Sequence, residues 1–90
     1  MKITFAPIGI LEELVPEREL SFAEEKMNLG RFFEFLSDRY GQTVFEHVRG
    51  KYSSHYAILV NGKNSKQLQG MGTELKDGDR VTVLTMVTGG

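Results

Sequence analysis

A chain of 90 residues has room for one domain with a small core. It carries 11 basic and 12 acidic residues, a net charge of −1, and 40% of its residues are hydrophobic. This balance is typical of a folded globular protein and lacks the excess of positive charge that marks nucleic-acid-binding proteins. Because the chain has no cysteine, disulfides, iron–sulfur clusters and thiol chemistry are excluded within it.

The first part of the sequence predicts two strands joined by a long connection. Residues 1–5 alternate between apolar and polar, and residues 19–24 do so again. Between them, the letters ILEELVP indicate a short helical turn that ends at Pro16.

The next segment predicts the main helix. Its apolar residues recur at helical spacing along one face: Leu29, Phe32, Phe33, Leu36 and Tyr40. Asn28 is the predicted N-cap, and Gly41 is expected to end the helix. We interpret this stripe as core rather than as a ligand pocket. Phe35 lies off the stripe and is expected to cover an edge of the sheet.

The second half predicts two further strands. The polar residues 42–55 are expected to be extended or to form a loop. Residues 56–60 predict a strand that enters a hairpin turn at Asn61-Gly62, a dipeptide that favours such turns. A second turn at residues 77–79 precedes the last predicted strand, residues 81–87.

This order of elements predicts an α+β domain in which one helix covers one face of a sheet. Three apolar residues of the last two strands then have no helix over them: Leu59, Leu84 and Met86. We expect these three to form a surface that contacts a partner. The alternative is that the long connection between the first two strands folds over them.

Few residues indicate chemistry in a side chain. His47 and His55 lack further ligands at a useful spacing, so solvated loop histidines are favoured over a metal site. The acidic pairs Glu12-Glu13 and Glu24-Glu25 are interpreted as solvated charge, and Asp77 and Asp79 as turn formers. No bound metal, bound cofactor or catalytic side chain is predicted.

The longest apolar run is YAILV, far shorter than a membrane span, and the first residues lack the apolar core of a signal peptide. The sequence therefore predicts a soluble cytoplasmic protein with neither a membrane nor a nucleic acid as its partner.

The chain closes on the letters VTGG, directly after an apolar strand pattern. A frayed end would explain this, since chain termini tolerate many sequences. The sharper hypothesis is that the terminal carboxylate is the working group.

Several motifs of the last third resemble those of the ubiquitin-like sulfur carriers. They are VNG at residues 60–62, Gly70, Thr73, Leu75, DGD at residues 77–79, Val81 and the terminal GG. The family includes the small subunit of molybdopterin synthase (MoaD), its thiazole-pathway relative (ThiS) and the archaeal small modifier proteins. The resemblance implies a β-grasp fold with a mixed sheet over residues 1–87 and a flexible tail at residues 88–90.

The resemblance also implies roles. An activating enzyme that uses ATP would adenylate Gly90, and sulfur transfer would leave a thiocarboxylate there. Gly89 and Thr88 would give access to that enzyme's active site, since glycine allows close approach of the backbone. Leu59, Leu84 and Met86 would provide recognition. The acceptor partner would be the large subunit of molybdopterin synthase, and all catalysis would belong to the partners.

Three alternatives stay open: a protein modifier whose Gly90 forms isopeptides with target lysines, a sulfur carrier for the thiazole of thiamine, and a plain β-grasp interaction domain. One departure concerns the subfamily, because Thr85-Met86 stands where many molybdopterin synthase small subunits have Pro-Pro. The chain length favours those subunits over the shorter thiazole carriers. A ferredoxin-type β-grasp protein is excluded because no cysteine is present to hold its cluster.

Overall fold

The structure is a computed structural model that describes residues 1–85. Within this range the strands are β1 (Lys2–Pro7), β2 (Glu19–Ser21), β3 (Lys26–Asn28), β4 (Tyr56–Val60), β5 (Lys63–Asn64), β6 (Glu74–Lys76) and β7 (Arg80–Thr85). The helices are α1 (Ile10–Leu14), α2 (Leu29–Tyr40) and α3 (Gln42–Val48). Short 3₁₀ turns span Ser53–His55, Ser65–Gln67 and Gly70–Gly72.

Five strands form the main sheet in the order β2-β1-β7-β4-β5, while β3 and β6 pair separately. The central strand β7 runs parallel to its neighbour β1, and the other neighbours in the sheet run antiparallel. The predicted α+β architecture with a mixed sheet is therefore confirmed. Strands β4 and β7 are rich in Val, Ile and Thr, whose branched side chains suit a pleated surface.

The helices pack against one face of this sheet, called the inner face. The residues of the sheet that face them are buried: Ile3, Phe5, Leu20, Ile58, Val60, Val81 and Val83. The ring of Phe5 meets the rings of Phe32 and Phe33 of α2 at centroid distances of 5.6 and 6.2 Å, both edge to face. The predicted aromatic stripe is thus core. Phe35 packs on Phe22, next to the edge strand β2, as expected.

Helix α2 has the predicted ends. The Oδ1 atom of Asn28 accepts a hydrogen bond of 2.7 Å from the backbone N–H of Arg31, which satisfies one free donor of the first turn. At the other end, Gly41 has a φ of 110° and its N–H donates to the carbonyl oxygen of Ser37.

The prediction for residues 42–55 was wrong over its first half. Gln42–Val48 is the helix α3, which buries Val44 and Val48 against α2 and α1. These two side chains are four residues apart and so share one helical face. The rest of the segment contains one 3₁₀ turn, Ser53–His55.

Both predicted turns are present. Asn61 and Gly62 have positive φ values of 52° and 84°, and they join Val60 to its strand partner Lys63. In the second turn, Asp77 accepts a hydrogen bond from the N–H of Lys2, and Asp79 accepts one from the N–H of Lys76. Asp79 therefore stabilises the turn itself, as the sequence predicted, whereas Asp77 lies in the turn and connects it to β1.

Candidate functional site

The candidate site surrounds the end of the central strand β7. Its last described residue, Thr85, pairs with Tyr56 at the start of β4. On the other side, the N–H of Ile8 donates to the carbonyl oxygen of Val83 at 2.9 Å, directly after the end of β1. The last described residues of β7 therefore lie at the centre of the sheet, held by a neighbouring strand on each side.

The outer face of the sheet bears an apolar surface at this same end. We call it the outer patch, and it consists of Ala6, Ala57, Leu59, Thr82 and Leu84. In the register of the strands, Thr82 lies between Ala6 and Leu59, and Leu84 lies opposite Ala57. All five are partly exposed, because the helices cover the opposite face. Apolar residues gathered on an uncovered face are typical of surfaces that contact a partner.

The long connection between β1 and β2 does not cover the outer patch. Its helix α1 packs against α3, and Leu11 and Val15 of the connection are buried in the core of the inner face. The prediction that Leu59 and Leu84 face outward is therefore confirmed. Their role as a contact surface stays a prediction.

The structure adds two apolar residues that the sequence analysis missed. Ile8 and Ile10 are 52% and 41% exposed; Ile8 lies in the loop after β1, and Ile10 is the first residue of α1. Between them, Gly9 has a φ of 94°, and a Cβ atom there would lie 3.3 Å from the Oγ1 atom of Thr85. The carboxylate of Glu12 accepts a hydrogen bond from the N–H of Gly9. Two exposed isoleucines thus flank Gly9 beside the end of β7. Apolar residues on both sides of a glycine in the letters PIGI were the available signal.

On the other side of β7, Tyr56 anchors a small aromatic cluster. Its hydroxyl lies 2.8 Å from the Nδ1 atom of His47, and the His47 ring stacks on Tyr52 at 5.0 Å. Burial raises the pKa of the Tyr56 phenol. The prediction of a solvated loop was wrong for His47, which is half-buried on α3, but His55 is exposed. The cluster fixes α3 against the start of β4.

The histidines and carboxylates of residues 1–85 do not gather into a metal site. Within this range, no group of three or more such side chains is placed to hold an ion. Across the same residues, every helix is too short or too polar to cross a bilayer.

Four of the predicted site residues, Met86, Thr88, Gly89 and Gly90, lie outside the described residues, and so does the predicted boundary after residue 87. The structure places Leu59 and Leu84 on the same face of the sheet, near the end of β7, after which these four residues follow in the sequence. The roles assigned to the four residues stay predictions.

The sequence matches a known family over nearly its whole length. The sequence profile of the ThiS family matches residues 8–90. A putative sulfur carrier protein of Archaeoglobus fulgidus is 28% identical over 78 residues, which is 84% of this chain and 89% of that protein.

Solved structures agree with this match. The HVO 2177 protein of Haloferax volcanii superposes with a TM-score of 0.76 at 26% identity, covering 100% of this chain and 87% of that one. The small archaeal modifier protein 1 of Methanosarcina acetivorans gives 0.69 at 27% identity, with 99% and 96% covered.

Proposed function

Because this chain belongs to the ThiS family of ubiquitin-like sulfur carriers and modifiers, we propose that Gly90 carries sulfur as a thiocarboxylate. The observation that supports this most directly is the position of the outer patch. It lies beside the end of β7, from which the chain continues toward Gly90. A partner that covers the patch is thereby placed next to the residues that follow.

The chemistry assigned to Gly90 has two steps. First, its carboxylate attacks the α-phosphorus of ATP and releases pyrophosphate, which leaves an acyl-adenylate. In the second step, the terminal sulfur of a persulfide on the donor attacks the acyl carbon and displaces AMP, which gives an acyl disulfide. A thiol of the donor then attacks the donor-side sulfur of this S–S bond, so that a disulfide forms on the donor and the thiocarboxylate leaves with the electron pair. A free carboxylate is a poor electrophile, so adenylation supplies the leaving group. The activating enzyme binds the ATP and provides the catalytic groups.

The number of residues after Thr85 is consistent with an activating enzyme that docks on the outer patch and acts on Gly90. Five residues follow Thr85, and an extended chain of five residues spans at most about 17 Å. An enzyme docked on the outer patch is then within reach of Gly90 if its active site opens at the edge of the contact. Gly89 and Gly90 carry no Cβ, so a narrow channel would admit them.

We propose the molybdopterin precursor as the sulfur acceptor, bound by a large synthase subunit. Support comes from the motifs and the length of the chain, while Thr85-Met86 in place of a Pro-Pro pair weighs against it. The thiazole of thiamine is the competing acceptor. Incubation of the thiocarboxylated protein with each host acceptor system, followed by detection of molybdopterin or of the thiazole, distinguishes the two.

Intact mass spectrometry tests the carrier role. The full chain is incubated with ATP, the host's activating enzyme and a sulfur donor, and the C-terminal peptide is then sequenced. We expect an oxygen-to-sulfur mass increment confined to Gly90. A chain that lacks Gly90 but keeps residues 1–89 is the matched control and should gain nothing. If the full chain keeps its free carboxylate under these conditions, sulfur carriage is excluded.

The second candidate is a protein modifier, favoured by the similarity to the small archaeal modifier protein 1. Here the ε-amine of a target lysine attacks the same adenylate, releases AMP and forms an isopeptide. Adducts of higher mass that survive reduction and denaturation would establish it, provided that their branched peptides end in Gly90. If the full chain gains neither sulfur nor adducts, and Gly90→Ala leaves the biology of the protein unchanged, the plain interaction domain is the remaining function.

A further inference from the structure

A recess of about 420 Å³ opens on the side of β4 opposite to the outer patch. Its apolar wall consists of Val48 from α3, Tyr56 and Ile58 from β4, and Met71 from a 3₁₀ turn. Successive residues of a strand face opposite sides, so Ile58 lines the recess while Leu59 belongs to the outer patch. The volume falls within the range of small-molecule sites.

The polar part of the recess is positively charged. Arg49 and Lys66 line it together with Ser65, whose residue surface is only 6% exposed. No carboxylate of the described residues lies within ion-pairing distance of Arg49 or Lys66, whereas Lys51 nearby is paired with Glu46 at 3.2 Å. Two cations beside an apolar wall favour an anion that has an apolar part.

The sequence around the recess has an unusual distribution of charge. Residues 47–73 include four of the 11 basic residues, and all 12 acidic residues lie elsewhere. Every residue that lines the recess belongs to this acid-free segment. The local field therefore favours anions although the whole chain has a net charge of −1.

Gly30 explains how Arg49 reaches its position. A Cβ atom at residue 30 would lie 3.4 Å from the Nη1 atom of Arg49 and 3.3 Å from the carbonyl oxygen of Met71. The guanidinium group thus lies against the first turn of α2, where a larger residue would crowd it. Glycine costs a helix about 1 kcal/mol relative to alanine, so its presence here needs a reason such as this contact.

A neighbouring cavity shares Arg49 and Met71 with the recess but is less suited to an anion. Its wall includes the carboxylate of Glu34, which pairs with Arg31 at 3.1 Å. A bound anion would meet that carboxylate at close range. The recess has no acidic residue in its lining and is therefore the favoured site.

We propose that the recess binds a small organic anion, in which a phosphate or carboxylate group is attached to an apolar body. Arg49 and Lys66 bind the anionic group, Ser65 donates a hydrogen bond, and Ile58 and Met71 contact the body. The recess and the outer patch lie on opposite sides of β4, so ligand and partner can be bound together.

Titration of the full ¹⁵N-labelled chain, followed by NMR, tests the proposal. Phenyl phosphate is the probe that combines both parts, inorganic phosphate lacks the body, and phenol lacks the charge. We expect saturable shifts at amides of residues 48–58 and 64–71 with phenyl phosphate, with a dissociation constant on the order of 1 mM for so small a ligand. Each partial probe should bind more weakly. Benzoate in place of phenyl phosphate then shows whether a carboxylate is accepted as well.

Variants of the lining residues show whether phenyl phosphate binds in the recess itself. Arg49→Gln and Lys66→Gln should each weaken binding of phenyl phosphate by about tenfold, the usual effect of losing a charge-assisted hydrogen bond. Lys63→Gln removes the same charge from the same segment without touching the lining, and it should bind like the unchanged protein. Lys66 is exposed, so its variant stays informative even if Arg49→Gln perturbs packing.

Three results would overturn the proposal. The first is the absence of saturable shifts, and the second is a set of shifts spread over the surface. The third is equal weakening by Lys63→Gln and Lys66→Gln, which would reduce the effect to diffuse attraction by a basic segment.

Discussion

Neighbouring residues of β7 contrast the two faces of the sheet. Val83 is completely buried under the helices, while Leu84, the next residue, is partly exposed in the outer patch. Ile58 and Leu59 of β4 repeat the contrast, since only Ile58 belongs to the core. The same kind of side chain thus stabilises the fold on one face and is left available for contact on the other.

The contrast extends along the outer face itself. Its far end carries polar residues, with Thr4 paired to Glu19 and to Arg80 in the strand register. The apolar residues gather at the end where β7 finishes. An apolar surface costs solubility, so its restriction to the neighbourhood of one strand end indicates a local purpose.

Val83→Asp should unfold the protein, because it places a carboxylate in the core under the inner face. This is the largest effect that we expect. An unpaired carboxylate in the core costs more than about 4 kcal/mol, a large fraction of the stability of a small domain. We expect loss of the native circular dichroism and of NMR dispersion at neutral pH. Val83→Ala is the milder control, expected to stay folded with a loss of about 2 kcal/mol. A native spectrum for Val83→Asp would mean that the inner face is less closely packed than the structure shows.

Leu84→Asp should spare the fold and break recognition. Because the side chain is partly exposed, its replacement should change the free energy of unfolding by less than about 1 kcal/mol. A charge in the contact surface should slow sulfur loading of Gly90 by about tenfold or more, the effect expected at the centre of an interface. Thr4→Asp, on the polar end of the same face, is the control. Equal loading rates for Leu84→Asp and the unchanged chain would contradict the assigned role of the patch.

Asn28→Ala should lower the stability of the fold without affecting contact through the outer patch. Loss of the N-cap hydrogen bond to Arg31 should lower stability by about 1 kcal/mol and the melting temperature by roughly 4–8 °C. Asn28→Asp keeps an acceptor and should retain most of the stability. Sulfur loading measured well below the melting temperature should not change in either variant. A reduced rate would show that α2 also affects recognition by the partner, which would contradict the separation of stability and contact between the two faces.

The smallest expected effect is an alkaline loss of stability at the margins of the core. Burial, and then the hydrogen bond with Glu17, raise the pKa of Tyr40 above its usual 10.0, and burial raises that of Tyr56. Both phenols therefore keep their protons longer in the folded state. Their contribution to stability is complete below about pH 10 and is lost as the pH rises through the folded-state pKa values.

Urea unfolding at a series of pH values from about 9 to 11 measures this loss. The double variant Tyr40→Phe/Tyr56→Phe should show a shallower fall than the unchanged chain. Equally steep curves would show that these two phenols do not contribute.

The two longer helices show what the sequence could predict. Five apolar residues on one face, with Asn28 before them and Gly41 after, defined α2 closely. Helix α3 has only seven residues, and its two buried residues, Val44 and Val48, stand among polar residues and the exposed Phe45. A pattern this short does not distinguish a helix from a loop. The clue was the spacing of four between those two valines.

The candidate site was predictable to a similar extent. Leu59 and Leu84 could be found because strand alternation assigned them to a face that one helix could not cover. Ile8 and Ile10 were missed because one lies in a loop and the other begins a helix of five residues, and neither segment has a periodicity that reports exposure. The recess was missed because α3, β4 and two 3₁₀ turns form it together, and sequence patterns do not reveal how such segments assemble.

The parallel pairing of β1 with β7 also has a consequence for how the protein matures in the cell. During synthesis β1 cannot pair with β7 until more than 70 further residues have been added, because their paired residues are that far apart. Such distant contacts slow folding, and the sheet cannot close around a nascent chain that lacks β7. The outer patch needs β1, β4 and β7 together, so a truncated translation product would not display it. An activating enzyme that recognises the patch would thereby discriminate finished molecules from fragments.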